Sequence, residues 1–421
     1  KLIEWSMRPS TSFVILAAMF RGMVTFTCAC LRFGSASQDK VLRRERPVPL
    51  QQKAFASFLL AANLALAPTS AGTSSRSTVT MRDKTHPPLA LFLSEDCIDH
   101  DMGPGHPEAP ERLEHLIRLA KFVWSKELDD KYLKIYEPEV DVTFDQLIRV
   151  HTPAHLISLK NAFDEVEETG IPVALDRTGD TAVFPGTQTA CLRAAGLVVA
   201  AVDKVLGKDS AHDRAFVMAR PPGHHAEANR AMGFCFFNNV MVGVAHAEEV
   251  YGIKRIAILD FDVHHGNGDE AISRTNSSSR LYASSHQVPL FPPGDGKSQS
   301  DLTNNIINVP LPPGAGSFEF RAAWRDTLLP AVKDFSPEMV FISAGFDAHE
   351  DDPMASLKLN VFDFDWVTRA ILEVCSDIPV VSVLEGGYDI DSLGESAHVH
   401  VQALSRRYTQ TARQRAHFAH V

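Results

Sequence analysis

Cysteine is scarce in this chain, and its placement excludes more than its number does. There are six in 421 residues: Cys28, Cys30, Cys97, Cys191, Cys235 and Cys375. The last four stand far apart and no Cys-x-x-Cys pair occurs, so neither a disulfide framework nor a cysteine-built structural metal site is encoded. A reducing compartment is the reading for the body of the protein. Long apolar runs are also missing: the stretch 13–20 is cut off by Arg21, short of the ~20 residues that a membrane-spanning helix needs. No heptad and no internal repeat is visible. Positive charge is missing from most of the chain. Residues 1–87 carry 12 Lys/Arg against 4 Asp/Glu, a net +8, while residues 88–421 carry 29 against 48, a net −19. So acidic a body repels phosphate backbones, which argues against nucleic acid as a direct ligand and favours cationic substrates.

The basic N-terminal part has its own pattern. Lys53 precedes an apolar run over 54–67, and the small residues of 68–71 follow, the layout of a secretory h-region and its cleavage site. Residues 72–84 (GTSSRSTVTMRDK) are rich in Ser and Thr and contain Arg76, Arg82 and only one acid, as in organelle transit peptides. The two segments in tandem resemble the two-part leaders of complex plastids. Residues 1–86 are therefore expected to be a targeting segment, cleaved between Gly72 and Pro87. The expected location is a plastid or another organelle, with the cytoplasm as the alternative, and no membrane association of the mature form.

From Pro87 onward short apolar runs alternate with longer helical patterns, which is how a mostly parallel sheet covered by helices reads. Strands are expected at 89–93, 215–219, 255–260, 281–285, 306–309, 339–343 and 380–384. Helices are expected at 111–123, 187–205, 238–250, 318–332, 363–374 and 391–404, and 289–302 is expected to be a loop. The predicted fold class is α/β: one large domain over 87–405, with a mostly parallel central sheet flanked by helices and a tail at 406–421. Polar strings follow four of the strands: residues 220–225, residues 260–265, Asp347, and residues 386–388. Parallel α/β sheets bind ligands beyond the carboxyl ends of their strands, so these four segments are expected to meet on one rim.

The string Asp260-Phe261-Asp262-Val263-His264-His265-Gly266-Asn267-Gly268 is the most informative. Residues two apart on an extended strand point the same way, which places Asp260, Asp262 and His264 on one side. Asp262 and His264 can bind one divalent cation, and Asp347 from another strand completes three ligands with a position left for water, the requirement of a catalytic rather than a structural site. Two carboxylates and an imidazole suit zinc, and also Fe(II) or Co(II). Arg220-Pro221-Pro222-Gly223-His224-His225 supplies two histidines near the metal. One of them can act as general base and then as general acid. Each needs an oriented partner on its other nitrogen; Asp260 and Asn267 are the candidates.

These strings resemble the zinc-dependent histone deacetylase family and the wider group of acetylpolyamine amidohydrolases, over roughly 87–404. Further motifs carry the resemblance: His100, Gly105-His106-Pro107-Glu108, Arg112-Leu113, Gly233-Phe234-Cys235, 343–347 and Glu385-Gly386-Gly387-Tyr388. The His106-Pro107-Glu108 element and Asn267 look like the class II branch. The resemblance implies one Zn2+ per chain on Asp262, His264 and Asp347, His225 as general base and acid, and His224 with Asp260 as its electrostatic partner. It further implies Tyr388 as the donor to the acetyl carbonyl, Gly233 as the backbone acceptor for the substrate N–H, and Phe234 and Phe291 as walls of an acyl-lysine tunnel. A structural K+ near Ser284 and Ser285 is implied as well. The implied substrate is an acetylated amine, first of all acetyl-lysine in proteins, then acetylpolyamines or N-acetyl arylalkylamines. Asp347-Ala348-His349-Glu350-Asp351 also matches arginase-like binuclear manganese ureohydrolases, and a non-catalytic acetyl-lysine-binding scaffold is a third alternative.

Overall fold

Apolar runs without alternation become strands buried on both faces. The computed structural model describes residues 87–208, 210–293 and 299–405; the expected leader and tail lie outside the described residues, as does the middle of the expected loop at 289–302. The strands are β1 (Leu89–Phe92), β2 (Leu133–Tyr136), β3 (Val173–Ala174), β4 (Ala182–Val183), β5 (Arg214–Val217), β6 (Ile256–Asp260), β7 (Arg280–Gln287), β8 (Ile306–Leu311), β9 (Met339–Ala344) and β10 (Val380–Leu384). Eight form one parallel sheet in the order β2-β1-β5-β10-β9-β6-β7-β8, and β3 and β4 form a small antiparallel hairpin. Every residue of β1, β5, β6, β9 and β10 is buried, so helices cover the centre of the sheet from both sides. The helices Thr187–Leu206 and Ile390–Ser405 both pack on β1 and β5.

The strands that precede the four polar strings, β5, β10, β9 and β6, are consecutive in the sheet. Being parallel, they deliver their carboxyl ends to one rim, as expected. Asp260 ends β6 in register with Ser343 of β9 and Ser284 of β7. Several features differ from the sequence reading. The edge strand β2 and the helix Pro153–Thr169 were not expected. The two helices expected at 111–123 and 318–332 each pass through a wide π turn, at Ala120–Trp124 and Trp324–Leu328.

A buried ion cluster fastens the segment before the first helix to the rim. The Glu108 carboxylate accepts from Arg112 Nη1 at 2.9 Å and from Arg220 Nη2 at 2.9 Å, and all three side chains are fully buried. Arg220 also donates to the carbonyls of Cys97 and His100. Burial pushes the Glu108 carboxyl up, but Arg220 and Arg112 outweigh it and hold the group at about 2, below its ordinary 4.5. A folded value below the unfolded one means stability that is present above 4.5 and lost as pH falls towards 2. Glu108→Gln should lower stability at neutral pH by about 3–5 kcal/mol, because two guanidiniums lose their counter-charge in a dry site. Urea unfolding should also show the variant losing less stability than wild type between pH 4.5 and 2; equal acid sensitivity would contradict the role given to Glu108.

Candidate metal centre and active site

The strand ends on the first residue of the decisive string. β6 stops at Asp260, so strand alternation does not orient Asp262 and His264, contrary to the sequence reading. Carboxylates do so instead, each taking up the backbone N–H two residues further on. Asp260 Oδ1 accepts from the Asp262 N–H at 3.1 Å, and Asp262 Oδ1 accepts from the His264 N–H at 2.8 Å. Asp347, just past β9, is held by the Val263 N–H at 2.9 Å, and the Gly386 N–H donates to Asp262 Oδ2 at 2.8 Å. The result is a fully enclosed cradle. Ligand atoms of Asp262, His264 and Asp347 all lie within 4.8 Å of one another, the one such group of three among the described residues. His264 Nδ1 stands 3.0 Å from Asp262 and 3.1 Å from Asp347.

The donor set fits a divalent cation. A Cβ at Gly345 or Gly386 would run into the Asp262 or Asp347 carboxylate, so the backbone closes on the cradle where only glycine permits it. The protein supplies too little positive charge here. Burial and then the Asp262 charge push the Asp347 carboxyl up to about 7. Burial opposes a charged His264, but the carboxylates of Asp262 and Asp347 raise it to about 10. Groups that attract a proton so strongly also attract a metal ion, and two carboxylates with one imidazole suit zinc or Fe(II). His349 and Asp351 of the arginase-like string pair with each other at 3.7 Å, and the Asp351 side chain is exposed.

The two adjacent histidines acquire opposite characters. His224 Nδ1 lies 3.3 Å from Asp260 Oδ2, and its Nε2 lies 3.8 Å from Asp262 Oδ2. Burial opposes its protonation, but Asp262 and Asp260 hold it well above its ordinary range. His225 contacts Asn267 Oδ1 through Nδ1 at 2.8 Å. Burial, together with the neighbouring His224 and His264, pushes it well below its ordinary range. Asn267 Nδ2 donates to Glu227 Oε1 at 2.9 Å and to the His225 carbonyl, so its oxygen must face His225. His225 Nδ1 therefore carries the hydrogen, and Nε2 is left as a neutral acceptor.

The remaining expected residues gather around this pair. The His225 ring stands edge-on to Phe291 at 4.9 Å between centroids, and Phe234 stands edge-on to Tyr388 at 5.9 Å. Gly233, at φ +58°, lies between them; a Cβ there would come 2.6 Å from His225 and 2.8 Å from Phe291. Ser284 Oγ bonds His286 Nδ1 at 2.8 Å, and Ser285 Oγ accepts from Trp324 Nε1 at 2.9 Å.

Several residues of the site received no role from the sequence. Glu385 Oε2 accepts the N–H groups of Gly223 at 2.7 Å and His224 at 3.1 Å, which fixes the histidine turn. Asp269 bonds Asn238 Nδ2 and Ser343 Oγ, each at 2.7 Å. Burial raises both acids, Glu385 to about 8 and Asp269 to about 7. The Arg112 guanidinium lies 4.7 Å from the Tyr388 ring centroid and donates to the carbonyls of Glu385 and Gly387, each at 2.6 Å. A charged residue directly after an apolar strand, as Glu385 follows β10, was the readable signal.

Comparison with known proteins agrees with this geometry. A family model described as the histone deacetylase domain matches residues 106–404. Histone deacetylase 10, chloroplastic, of Oryza sativa is 32% identical over 318 residues, covering 73% of this chain and 71% of the relative. The histone deacetylase-like amidohydrolase of Pseudomonas aeruginosa is 33% identical over 326 residues, covering 71% and 81%. The crystal structure of the HDA15 HD domain aligns with a TM-score of 0.67 at 28% identity, covering 76% of this chain and 89% of that one. Fold, cradle and likeness agree, and the chain belongs to the histone deacetylase family of hydrolases.

Proposed function

We propose that this hydrolase is zinc-dependent and removes acetyl groups from N-acetylated amines, with acetyl-lysine in proteins as its substrate class. The observation that carries the reading is the histidine pair, His224 against the Asp260 carboxylate and His225 against the Asn267 amide oxygen, beside a three-residue cradle. Asp262, His264 and Asp347 would hold one zinc ion, which would supply Lewis acidity for the acetyl carbonyl and the attacking water. His225 Nε2 takes the proton from that water as its oxygen adds to the carbonyl carbon. Asn267 keeps the other nitrogen protonated and the ring in place. His224, paired with Asp260, contributes fixed positive charge beside the developing oxyanion, and the Tyr388 hydroxyl donates to that oxyanion. His225 then returns its proton to the amine nitrogen as the C–N bond breaks, giving acetate and a free amine.

Phe234 and Phe291 would wall the linear acyl-lysine chain, and the Gly233 carbonyl would accept the substrate N–H. A narrow aromatic passage suits an aliphatic chain, and the net −19 of residues 88–421 suits a cationic carrier. A structural K+ would sit near Ser284 and Ser285. The leader-like composition of 1–86 supports delivery to a plastid, and the rice relative is named chloroplastic.

Purified protein should release acetate faster from acetyl-lysine peptides than from acetylpolyamines or N-acetyl arylalkylamines, as kcat/KM; the reverse ranking would move the substrate class. Tyr388→Phe removes one oxyanion donor and should lower kcat by about 10²–10³ with metal content intact. An unchanged kcat would take Tyr388 out of the mechanism. A fluorescent fusion of the whole chain should collect in plastids, and uniform cytosolic signal would contradict the targeting.

A further inference from the structure

The turn that carries Tyr388 is gripped from several sides, and one of the grips has no role so far. Residues 385–389 leave β10 with Gly387 at φ +118°, a conformation open to glycine. Its backbone partners can be followed almost group by group. The Glu385 N–H donates to the Ala344 carbonyl at 3.0 Å, and the Phe346 N–H donates to the Gly386 carbonyl at 3.0 Å. Asp262 takes the Gly386 N–H, and Arg112 takes the carbonyls of Glu385 and Gly387. Asp352 is what holds Tyr388 itself. Its Oδ2 accepts from the Tyr388 N–H at 2.7 Å and the Asp389 N–H at 3.3 Å, while Oδ1 accepts from the Met354 N–H at 2.9 Å. The Asp352 side chain is buried, and its own N–H donates to the His349 carbonyl at 3.0 Å.

We propose that Asp352 is a positioning residue for Tyr388: its carboxylate bridges the loop that carries Asp347 to the turn that carries Tyr388, and so sets the distance between the hydroxyl and the reacting carbonyl. This rests on the role proposed above for Tyr388. A carboxylate is the side chain the place requires. It is an acceptor at both oxygens and can take three backbone N–H donors at once, with charge-assisted bonds stronger than neutral ones. An amide in its place would turn an N–H2 towards N–H donors and lose at least one bond. Arg112 grips the carbonyl side of the turn and Asp262 grips Gly386, so without Asp352 the turn stays attached but the N–H groups of Tyr388 and Asp389 lose their acceptor and the Tyr388 backbone can shift. A hydroxyl displaced by ~1 Å can cost ~10²-fold in rate without abolishing substrate binding.

The test is a double-mutant cycle on the full chain with its metal, using the acetyl-lysine peptide that wild type cleaves fastest. Wild type, Asp352→Asn, Tyr388→Phe and the double variant are compared for kcat, KM, metal content and thermal midpoint. Asp352→Asn is expected to lower kcat by about 10–100-fold, with KM within about 3-fold and metal content unchanged. In the Tyr388→Phe background the same change is expected to cost no more than about 2-fold, because the group it positions is already gone. Equal losses in the two backgrounds would overturn the proposal and leave Asp352 a purely structural residue. Full activity of Asp352→Asn beside an impaired Tyr388→Phe would overturn it too, while leaving Tyr388 in the mechanism. A Tyr388→Phe enzyme with wild-type kcat would overturn the reading on which both depend. If Asp352→Asn does not fold, Asp352→Glu carries the same cycle, since it keeps the charge and moves it by one methylene; it is expected to show the same coupling to Tyr388.

Discussion

The structure is organised around an excess of negative charge in a place without water. Asp260, Asp262 and Asp347 are fully buried at the ends of adjacent strands, and Asp269 and Glu385 are buried with them. Isolated carboxylates in such a medium would be costly. The protein meets the cost locally. Backbone N–H groups of Asp262, Val263, His264 and Gly386 point at these acids, and His224 brings a proton. The deficit that remains, visible in the raised carboxyl of Asp347 and the raised imidazole of His264, is what a divalent cation answers. Folding thus sets a cradle suited to a divalent cation just beyond the ends of the strands.

The same charge field divides the labour of the two histidines. His224 faces two carboxylates, while His225 faces an amide oxygen on one nitrogen and has the rings of His224 and His264 nearby. Residues of the same type, one peptide bond apart, are thereby shifted in opposite directions. That asymmetry depends on the turn Arg220–Pro221–Pro222–Gly223, which Glu385 holds through two N–H groups and which the Glu108 cluster anchors through Arg220. Packing and electrostatics are therefore one arrangement.

Much of this was legible in the sequence because the chemistry is written in short strings. Asp262, His264 and Asp347 were readable as a cluster, and Asp260 and Asn267 as partners of the histidines, since they follow apolar strands that could be recognised. The parallel sheet was legible from its unbroken apolar runs. The residues that stayed silent act over long distances or through backbone atoms. Arg112 reaches Gly387 across 275 positions, and Asp352 grips N–H groups, which leave no trace in residue identity. The short edge strand β2 reads LKIY and lacks a distinct pattern. The helix Pro153–Thr169 did have a signal: Thr152 caps it ahead of Pro153, and Leu156, Leu159, Phe163 and Val166 keep helical spacing. Asp262 and His264 do face one cradle as expected, but hydrogen bonds rather than strand alternation turn them inward.

The measurement that tests this account most directly is elemental analysis of the purified protein alongside its acetate-release rate. The account predicts one zinc ion per chain, lost together with activity in Asp262→Ala, while the circular dichroism of the sheet and helices is retained. Two manganese ions per chain, or full acetate release from protein carrying no metal, would contradict it.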